Sequence, residues 1–279
     1  MRFVPRWIRR SLFNVFAWAV ILLIALPLVW MIITSIKPQS ELFMIPPAFF
    51  PEEITFEHYR RLLTGTPFLT YLRNSVILAS STTVLVIVVA TLGAHSLVRF
   101  SYPGRESLAG AVLFTYLLPS VVLVIPLYFL MAALGLVNSL LSLVIAYTTF
   151  ALPYALWLLR SFMSAIPADL EAAAMVDGAS RFRAFIDVIL PQAAPGIIST
   201  ALFTAILAWN EYLFALVLIN SDASRPLTTG VMNMLVTSFN IEWSLLMAAS
   251  VMMSVPLLVV FVGLQKYLTR GFGAGAVKG

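Results

Sequence analysis

The sequence has no cysteine, and its two histidines, His58 and His95, lie far apart. Disulfide bonds and cysteine-based metal sites are therefore excluded, and the histidines do not suggest a metal site either. Charge is also scarce. Of the 279 residues, 10% are charged and 61% are hydrophobic, whereas a soluble domain averages about a quarter charged and about half apolar. These proportions exclude a water-soluble single domain.

Charged residues are missing from five long stretches, each long enough to cross a hydrocarbon core of about 30 Å as a helix. These stretches are residues 11–36, 74–98, 107–159, 188–210 and 243–265. The third has room for two crossings, with turn-forming Gly135, Asn138 and Ser139 between them. We therefore predict an all-α membrane protein with six transmembrane helices. The predicted spans are 11–36, 74–98, 107–131, 141–160, 196–219 and 243–265.

The first stretch follows a basic N-terminus, which superficially resembles a signal peptide. The apolar part of a signal peptide is about 7–15 residues long, whereas this stretch continues to Lys37. We interpret it as a retained first span. The polar loop 37–73 follows, with three prolines that break regular structure and a short helix after Thr55.

Basic residues near the span ends predict the orientation, because cytoplasmic loops carry an excess of Lys and Arg. A cytoplasmic N-terminus places twelve basic residues inside and five outside. The inner ones are Arg2, Arg6, Arg9, Arg10, Arg99, Arg105, Arg160, Arg181, Arg183, Lys266, Arg270 and Lys278, and the outer ones are Lys37, Arg60, Arg61, Arg73 and Arg225. We predict that both termini are cytoplasmic. The net charge of +5 follows from this bias and does not indicate nucleic-acid binding.

The inner segment 166–191 has the pattern of two short helices outside the membrane. Pro167 favours a helix start, and Gly178 favours a helix end because it adopts the left-handed conformation without steric cost. Ser180 can cap a second helix, which we expect Pro191 to end.

The spacing in this segment resembles the signature of permease subunits of ABC importers. That signature reads Glu-Ala-Ala, three residues, Gly, nine residues, Ile, one residue, Leu-Pro. Counted from Gly178, Ala173 and Ala174 match the two alanines, and Leu190 and Pro191 match the final pair. A valine stands at the isoleucine position.

The match departs at the glutamate position. Ala172 stands there, and Glu171 comes one residue earlier. Because successive residues of a helix are about 100° apart, the carboxylate points to a different side of the helix.

The resemblance extends to the MalG-type subunit of carbohydrate importers, from about Phe68 to the end and more loosely over the first span. Residues 208–214 and 273–279 are particularly similar. The resemblance implies an ABC type I importer permease fold with a coupling-helix pair that docks in a cleft of an ATPase subunit. It also implies that the tail, 266–279, reaches the interface between two ATPases. The implied coupling residues are Glu171, Ala173, Ala174, Asp177, Gly178, Leu190 and Pro191.

The same resemblance implies the partners. They are a second permease subunit, two ATPase subunits and an extracytoplasmic solute-binding protein that delivers a sugar or polyol, in the lipid of a bacterial plasma membrane. The sequence lacks the nucleotide-binding pattern Gly-x4-Gly-Lys-Ser/Thr. We therefore expect ATP and Mg on the ATPase partners, with no cofactor and no catalytic site in this chain.

Glu211 is the only acidic residue in a predicted span, which makes it a functional candidate because a charge at that depth is costly. Asn210 and two aromatic residues adjoin it, and aromatic faces beside amide and carboxylate groups suit sugars. By resemblance to the sugar-contacting partner permease of the maltose importer, residues 150–154 and 208–212 correspond to lining segments. The predicted translocation residues are Phe150, Tyr154, Trp209, Asn210 and Glu211.

Other interpretations remain open. Glu211 could lie near the outer interface and hold a neighbouring helix. A secondary transporter or channel would use Glu211 as its ion or proton site, although the coupling pattern and the lack of an evident inverted repeat argue against it. A membrane-embedded enzyme is a third possibility, but the predicted spans contain no paired His or carboxylate residues that could form its active site. We interpret Tyr116, Tyr128, Tyr147 and Trp157 as packing or interface aromatics and His95 as a hydrogen-bonded interface residue.

Overall fold

The computed structural model describes residues 6–46, 48–236 and 242–276, with side chains for 10–46, 48–234 and 242–265. These residues are mainly helical, and no strand occurs among them. The helices are α1 (Arg6–Ser35), α2 (Glu57–Thr64), α3 (Phe68–Arg99), α4 (Arg105–Tyr116), α5 (Ser120–Ala133), α6 (Leu140–Ser164), α7 (Ala168–Val176), α8 (Arg181–Ala184), α9 (Leu190–Asn210), α10 (Leu213–Leu218), α11 (Leu227–Val236) and α12 (Trp243–Ala276). The all-α prediction is confirmed.

The chain divides into two compact units. One comprises Met1–Pro67 and Asn233–Val255, and the other comprises Phe68–Met232 and Pro256–Gly279. All residues predicted for coupling or translocation lie in the second unit.

In the first unit, the polar loop after α1 is folded by its own hydrogen bonds. The carboxylate of the buried Glu41 accepts from the backbone N–H groups of Glu52 at 3.2 Å and Glu53 at 3.1 Å. The hydroxyls of Ser35 and Tyr59 lie 2.7 Å apart, which ties α2 to the end of α1. The predicted loop is therefore a folded structure containing the predicted short helix.

In the second unit, α3, α6 and α9 pack against one another and form the core. Alanines at helical spacing lie at these contacts: Ala90 and Ala94 on α3, and Ala151 and Ala155 on α6, are at most 1% exposed. Small side chains let helix backbones approach closely, which matters in a membrane because lipid gives little hydrophobic drive for helix association.

Within the described part of the chain, five helices are long and apolar enough to cross a membrane, and the pair α4 and α5 would make a sixth if it counts as one span. That pair is bent by 100°, so the region of the predicted third span, 107–131, consists of two helices with a break between them. The chain breaks at Leu117–Pro119 because Pro119 has no N–H to continue a helix and disfavours helical geometry at Leu118.

The predicted fifth span, 196–219, also differs from the helix that the structure has in this region. A single helical run extends from Arg181 to Asn210, with a π-helical turn at Phe185–Ile189. Pro191 lies in the first turn of α9, where its missing N–H is tolerated, so the expectation that it ends a helix is wrong. At the other end the chain leaves helical geometry at Glu211 and restarts as α10.

The last helix continues beyond the predicted sixth span. α12 runs from Trp243 to Ala276, so most of the predicted tail, 266–279, has a helical backbone. Residues 277–279 and the side chains from Lys266 onward lie outside the described residues.

Candidate functional site

A cavity of about 590 Å³ lies where two helix interruptions face the middle of α6. One interruption is the bend between α4 and α5, and the other is the break between α9 and α10. The cavity is lined by Thr115, Tyr116, Leu118, Ser120, Phe150, Leu207, Asn210, Glu211 and Phe214. Three predicted translocation residues, Phe150, Asn210 and Glu211, are thus brought together.

Glu211 occupies the break between α9 and α10, and its carboxylate caps α10. Its Oε1 accepts from the backbone N–H of Phe214 at 2.9 Å, and its Oε2 accepts from that of Ala215 at 3.3 Å. Negative charge at a helix N-terminus is favourable because the first N–H groups lack partners within the helix. The Glu211 carbonyl accepts from the Thr228 hydroxyl at 2.8 Å, which ties the break to α11.

Aromatic rings form one side of the cavity. The ring centroids of Phe150 and Phe214 are 4.7 Å apart. Tyr154, the next predicted residue, does not line the cavity but lies 6.2 Å from the ring of Tyr116, which does. The arrangement combines flat apolar faces with amide, hydroxyl and carboxylate groups, as sites for polar organic solutes commonly do.

Trp209 does not lie with the other predicted translocation residues. It is 6% exposed and lines a separate, mostly apolar cavity of about 320 Å³ between α3, α9 and α12. The reason is helical geometry, because side chains of consecutive residues point about 100° apart. Trp209 and Asn210 therefore face different sides of α9.

Sequence reasoning missed the part of the cavity contributed by α4 and α5. Tyr116, interpreted as a packing aromatic, lines it together with Thr115 and Ser120. Pro119 was the available signal, since a proline inside an apolar run can mark a break as well as a kink.

The coupling segment has the predicted glycine turn. α7 follows Pro167, Gly178 has φ +89°, and the Ser180 hydroxyl accepts from the backbone N–H of Arg183 at 3.3 Å. The helix start after Pro167, the glycine turn and the Ser180 cap agree with the prediction. The second helix is short and runs through the π-helical turn into α9, so the segment is continuous with a membrane-spanning helix.

The predicted coupling residues differ in how exposed they are. Ala173, Asp177, Gly178 and Pro191 are exposed, and Ala174 and Leu190 are half-buried. Glu171 is different: it is 7% exposed and faces α3. Its place one residue before the usual glutamate position turns it toward the protein, so it is not part of the exposed surface.

The exposed surface of the segment includes large apolar side chains. Val176 is 87% exposed and Phe182 is 69% exposed, on either side of the Gly178 turn. A cluster of apolar groups with small alanines between them is typical of a protein-binding surface.

A multi-pass helical protein whose spans break around a polar and aromatic cavity, with an apolar helical surface at one end, has the features of a membrane permease. Residues 86–273 match the family of binding-protein-dependent transport system inner membrane components. The chain belongs to this family, the permease subunits of ABC importers.

Several relatives cover nearly the whole chain. The diacetylchitobiose uptake system permease protein DasC of Streptomyces coelicolor is 37% identical over 97% of this chain and 100% of its own. The trehalose/maltose transport system permease protein MalG of Thermococcus litoralis is 34% identical over 98% of both chains. The trehalose transport system permease protein SugB of Mycobacterium tuberculosis is 35% identical over 91% and 92%.

The fold is similar to that of a solved chain. A crystal structure of a bacterial ABC transporter involved in the import of the acidic polysaccharide alginate covers 96% of this chain and 100% of its own, with a TM-score of 0.81 and 24% identity. The predicted ABC importer permease fold is confirmed.

Proposed function

We propose that this chain translocates a sugar or polyol through the cavity around Glu211. The observation that carries the proposal is the convergence of Phe150, Asn210 and Glu211 on one cavity between broken spans. The C–H faces of a sugar can stack on Phe150 while its hydroxyls bond to the amide and carboxylate. The relatives support the substrate class, since their names state transport of diacetylchitobiose, trehalose and maltose.

The chain acts as one part of a complex. A second permease completes the pathway, a solute-binding protein delivers the substrate from outside, and two ATPase subunits bind ATP and Mg and hydrolyse the nucleotide. One solved ABC transporter with a similar fold is in complex with an alginate pentasaccharide-bound periplasmic protein. The complex resides in a bacterial plasma membrane with both termini of this chain in the cytoplasm.

The exposed face of the coupling segment is the docking surface for an ATPase. Ala173 and Gly178 allow close approach of a partner backbone, and Val176 and Phe182 supply apolar contact area. When ATP closes the ATPases, they move this segment and thereby rock the permease from inward-facing to outward-facing. Differential contact with the two states is what lets a partner shift the equilibrium.

A secondary transporter using Glu211 as a proton site is the competing function. The position of the carboxylate favours the first proposal, because Glu211 is already engaged with two backbone N–H groups as a cap. Protonation would remove part of that cap in every transport cycle.

Reconstitution separates the two functions. Vesicles containing the purified complex with its binding protein should take up radiolabelled disaccharide when ATP is inside, with or without a proton gradient. Uptake that needs the gradient and ignores ATP would contradict the proposal. Purification of the tagged chain should also recover an ATPase subunit.

A further inference from the structure

A buried ion pair joins the coupling segment to the inner end of α3. The Oε2 of Glu171 on α7 lies 3.1 Å from the Nε of Arg99, the last residue of α3. Its Oε1 lies 3.8 Å from the Nε2 of His95, one turn earlier. All three side chains are between 9% and 12% exposed. Neither water nor an outside partner has ready access to them.

The same turn of α3 also holds the two flanks of the segment. The Nη2 of Arg99 donates to the carbonyl of Ile166, just before α7, at 2.8 Å. The ring of His95 lies 4.5 Å from the ring of Phe185, in the π-helical turn after α8. The last turn of α3 therefore contacts the coupling segment at three points: Ile166 before α7, Glu171 in α7 and Phe185 after α8.

Burial makes this attachment resistant to separation. Pulling Glu171 away from Arg99 would leave two unpaired charges in a site shielded from water, which costs far more than separating a surface pair. Apolar packing acts in the same direction, since Ile166 and Phe185 belong to the core cluster that also contains Leu97 of α3. When the coupling segment moves, α3 is therefore expected to move with it.

α3 packs against both α6 and α9, the helices that carry Phe150 and Asn210 of the cavity. We propose that Glu171 is a positioning residue that fixes the coupling segment to α3 through Arg99, so that movement at the ATPase contact reaches the cavity by way of α3. This inference rests on the proposed function. The inference also explains why the glutamate stands one residue before its usual position in the signature. At position 171 its carboxylate contacts Arg99 of this chain, and Ala172 occupies the exposed position.

The test uses the complete complex in vesicles and measures solute imported per ATP hydrolysed, together with the amount of assembled complex. Glu171→Gln removes the charge with little change in shape. The matched control is Glu57→Gln, which makes the same change at an exposed carboxylate outside the coupling segment. Arg99→Gln and the double variant Glu171→Gln/Arg99→Gln complete a double-mutant cycle.

We expect Glu171→Gln to lower the transport-to-ATP ratio about fivefold in assembled complexes, within the range by which mutations in coupling networks act. Arg99→Gln should act similarly, and the double variant should be no worse than the poorer single variant. Glu57→Gln should leave the ratio close to that of the unmodified complex.

The inference would be overturned by an unchanged ratio for Glu171→Gln, by an equal loss for Glu57→Gln, or by losses that multiply in the double variant. If Glu171→Gln does not assemble, the inference is tested by the transport-to-ATP ratios of Arg99→Gln and of Arg99→Lys, which keeps the positive charge. Failure of all three to assemble would show a role in folding alone and would equally overturn it. The proposed function fails separately, if the unmodified complex shows no ATP-driven uptake.

Discussion

Glu211 and Gly178 are the two single residues on which the site geometry depends most. Glu211 lines the cavity and caps α10 with the same carboxylate, so one side chain contributes to both the cavity and the local fold. Gly178 holds the turn of the coupling segment at φ +89°, a conformation that residues with a Cβ rarely adopt. The role of each residue can be tested by substitution.

Glu211→Gln should be tolerated better than Glu211→Ala. The glutamine oxygen can still accept from the N–H of Phe214, whereas alanine removes the cap at a cost of about 1 kcal/mol and also removes the polar group from the cavity. The measurement is uptake per assembled complex, with the amount of complex recorded separately. Glu57→Gln, an exposed carboxylate with a 3.9 Å ion pair, is the control.

The outcomes distinguish the hypotheses for Glu211. Equal damage by Gln and Ala, with uptake that follows the proton gradient, would support a proton site. Less complex with unchanged uptake per complex would indicate a structural cap only. Full uptake by Glu211→Ala would remove the residue from the site.

Gly178→Val should reduce transport while the chain still inserts. A Cβ at this position meets no atom within 4 Å, so its effect is backbone strain of about 1–2 kcal/mol and not a clash. The strain should displace α7 from α8 and thereby deform the proposed docking surface. Uptake and substrate-stimulated ATPase activity of the assembled complex are the measurements.

Gly104→Val is the matched control for this change. Gly104 also has a positive φ, +82°, with open space around its Cβ, but it lies in the hairpin before α4. If both variants lose coupling equally, or if Gly178→Val keeps unmodified activity, the segment is not the coupling element.

At the scale of elements, the interruptions of helices matter more than the helices themselves. The bend between α4 and α5 and the break between α9 and α10 expose backbone and polar groups at the cavity, which a pair of straight spans would have hidden. Broken helices within a membrane are tolerated where they line a cavity. α4 packs against α6, and α10 packs against both α5 and α6, so the helices on either side of each interruption are attached to the core.

Gly196→Ala should loosen that core. A Cβ on Gly196 of α9 would lie 2.4 Å from Cγ of Phe162 on α6, so the two helices must separate or the ring must move, at a cost of about 1–3 kcal/mol. The expected result is a lower midpoint of thermal unfolding in detergent. Gly110→Ala, where a Cβ meets nothing within 4 Å, should leave the midpoint unchanged or raise it, because alanine favours a helix more than glycine does.

A second-site change checks the cause. Phe162→Val in the Gly196→Ala background should recover part of the lost stability, because it removes the ring atoms that clash. No recovery would mean that the effect of Gly196→Ala does not arise at this helix contact.

At the scale of the whole molecule, the contacts sort the ends of the spans into two sets. Asn138 accepts from the backbone N–H groups of Asn220 and Ser221, each at 3.0 Å, which joins two loops predicted to lie outside. Arg160 donates to both carboxylate oxygens of Glu106 at 2.8 and 2.9 Å, which joins two regions predicted to lie inside. The pairing agrees with the grouping of loops derived from basic residues.

Topology reporters should confirm which set faces the cytoplasm. Fusions after Lys37 and Asp222 should report an outer location, and fusions after Arg105, Arg183 and Lys278 an inner one, because the excess of arginine marks the cytoplasmic side. A cytoplasmic signal from a fusion within 37–73 would contradict this orientation.

The sequence by itself determined the class, the approximate positions of the long apolar helices and the helix–turn–helix form of segment 166–191. Uncharged runs of more than 20 residues leave few alternatives to membrane helices, and Pro167, Gly178 and Ser180 encode their turn through local backbone preferences. Such features depend on a residue and its near neighbours along the chain. They can therefore be predicted without knowing what packs against them.

Only the tertiary structure decided which side chains meet. Tyr116 joined Glu211 in one cavity because α4 and α5 bend, Trp209 was turned away by the rotation of α9, and Glu171 was paired with Arg99, 72 positions away in the sequence. Each outcome depends on how distant helices pack, and helix rotation changes the direction of a side chain by about 100° per residue. Composition and spacing do not contain that information.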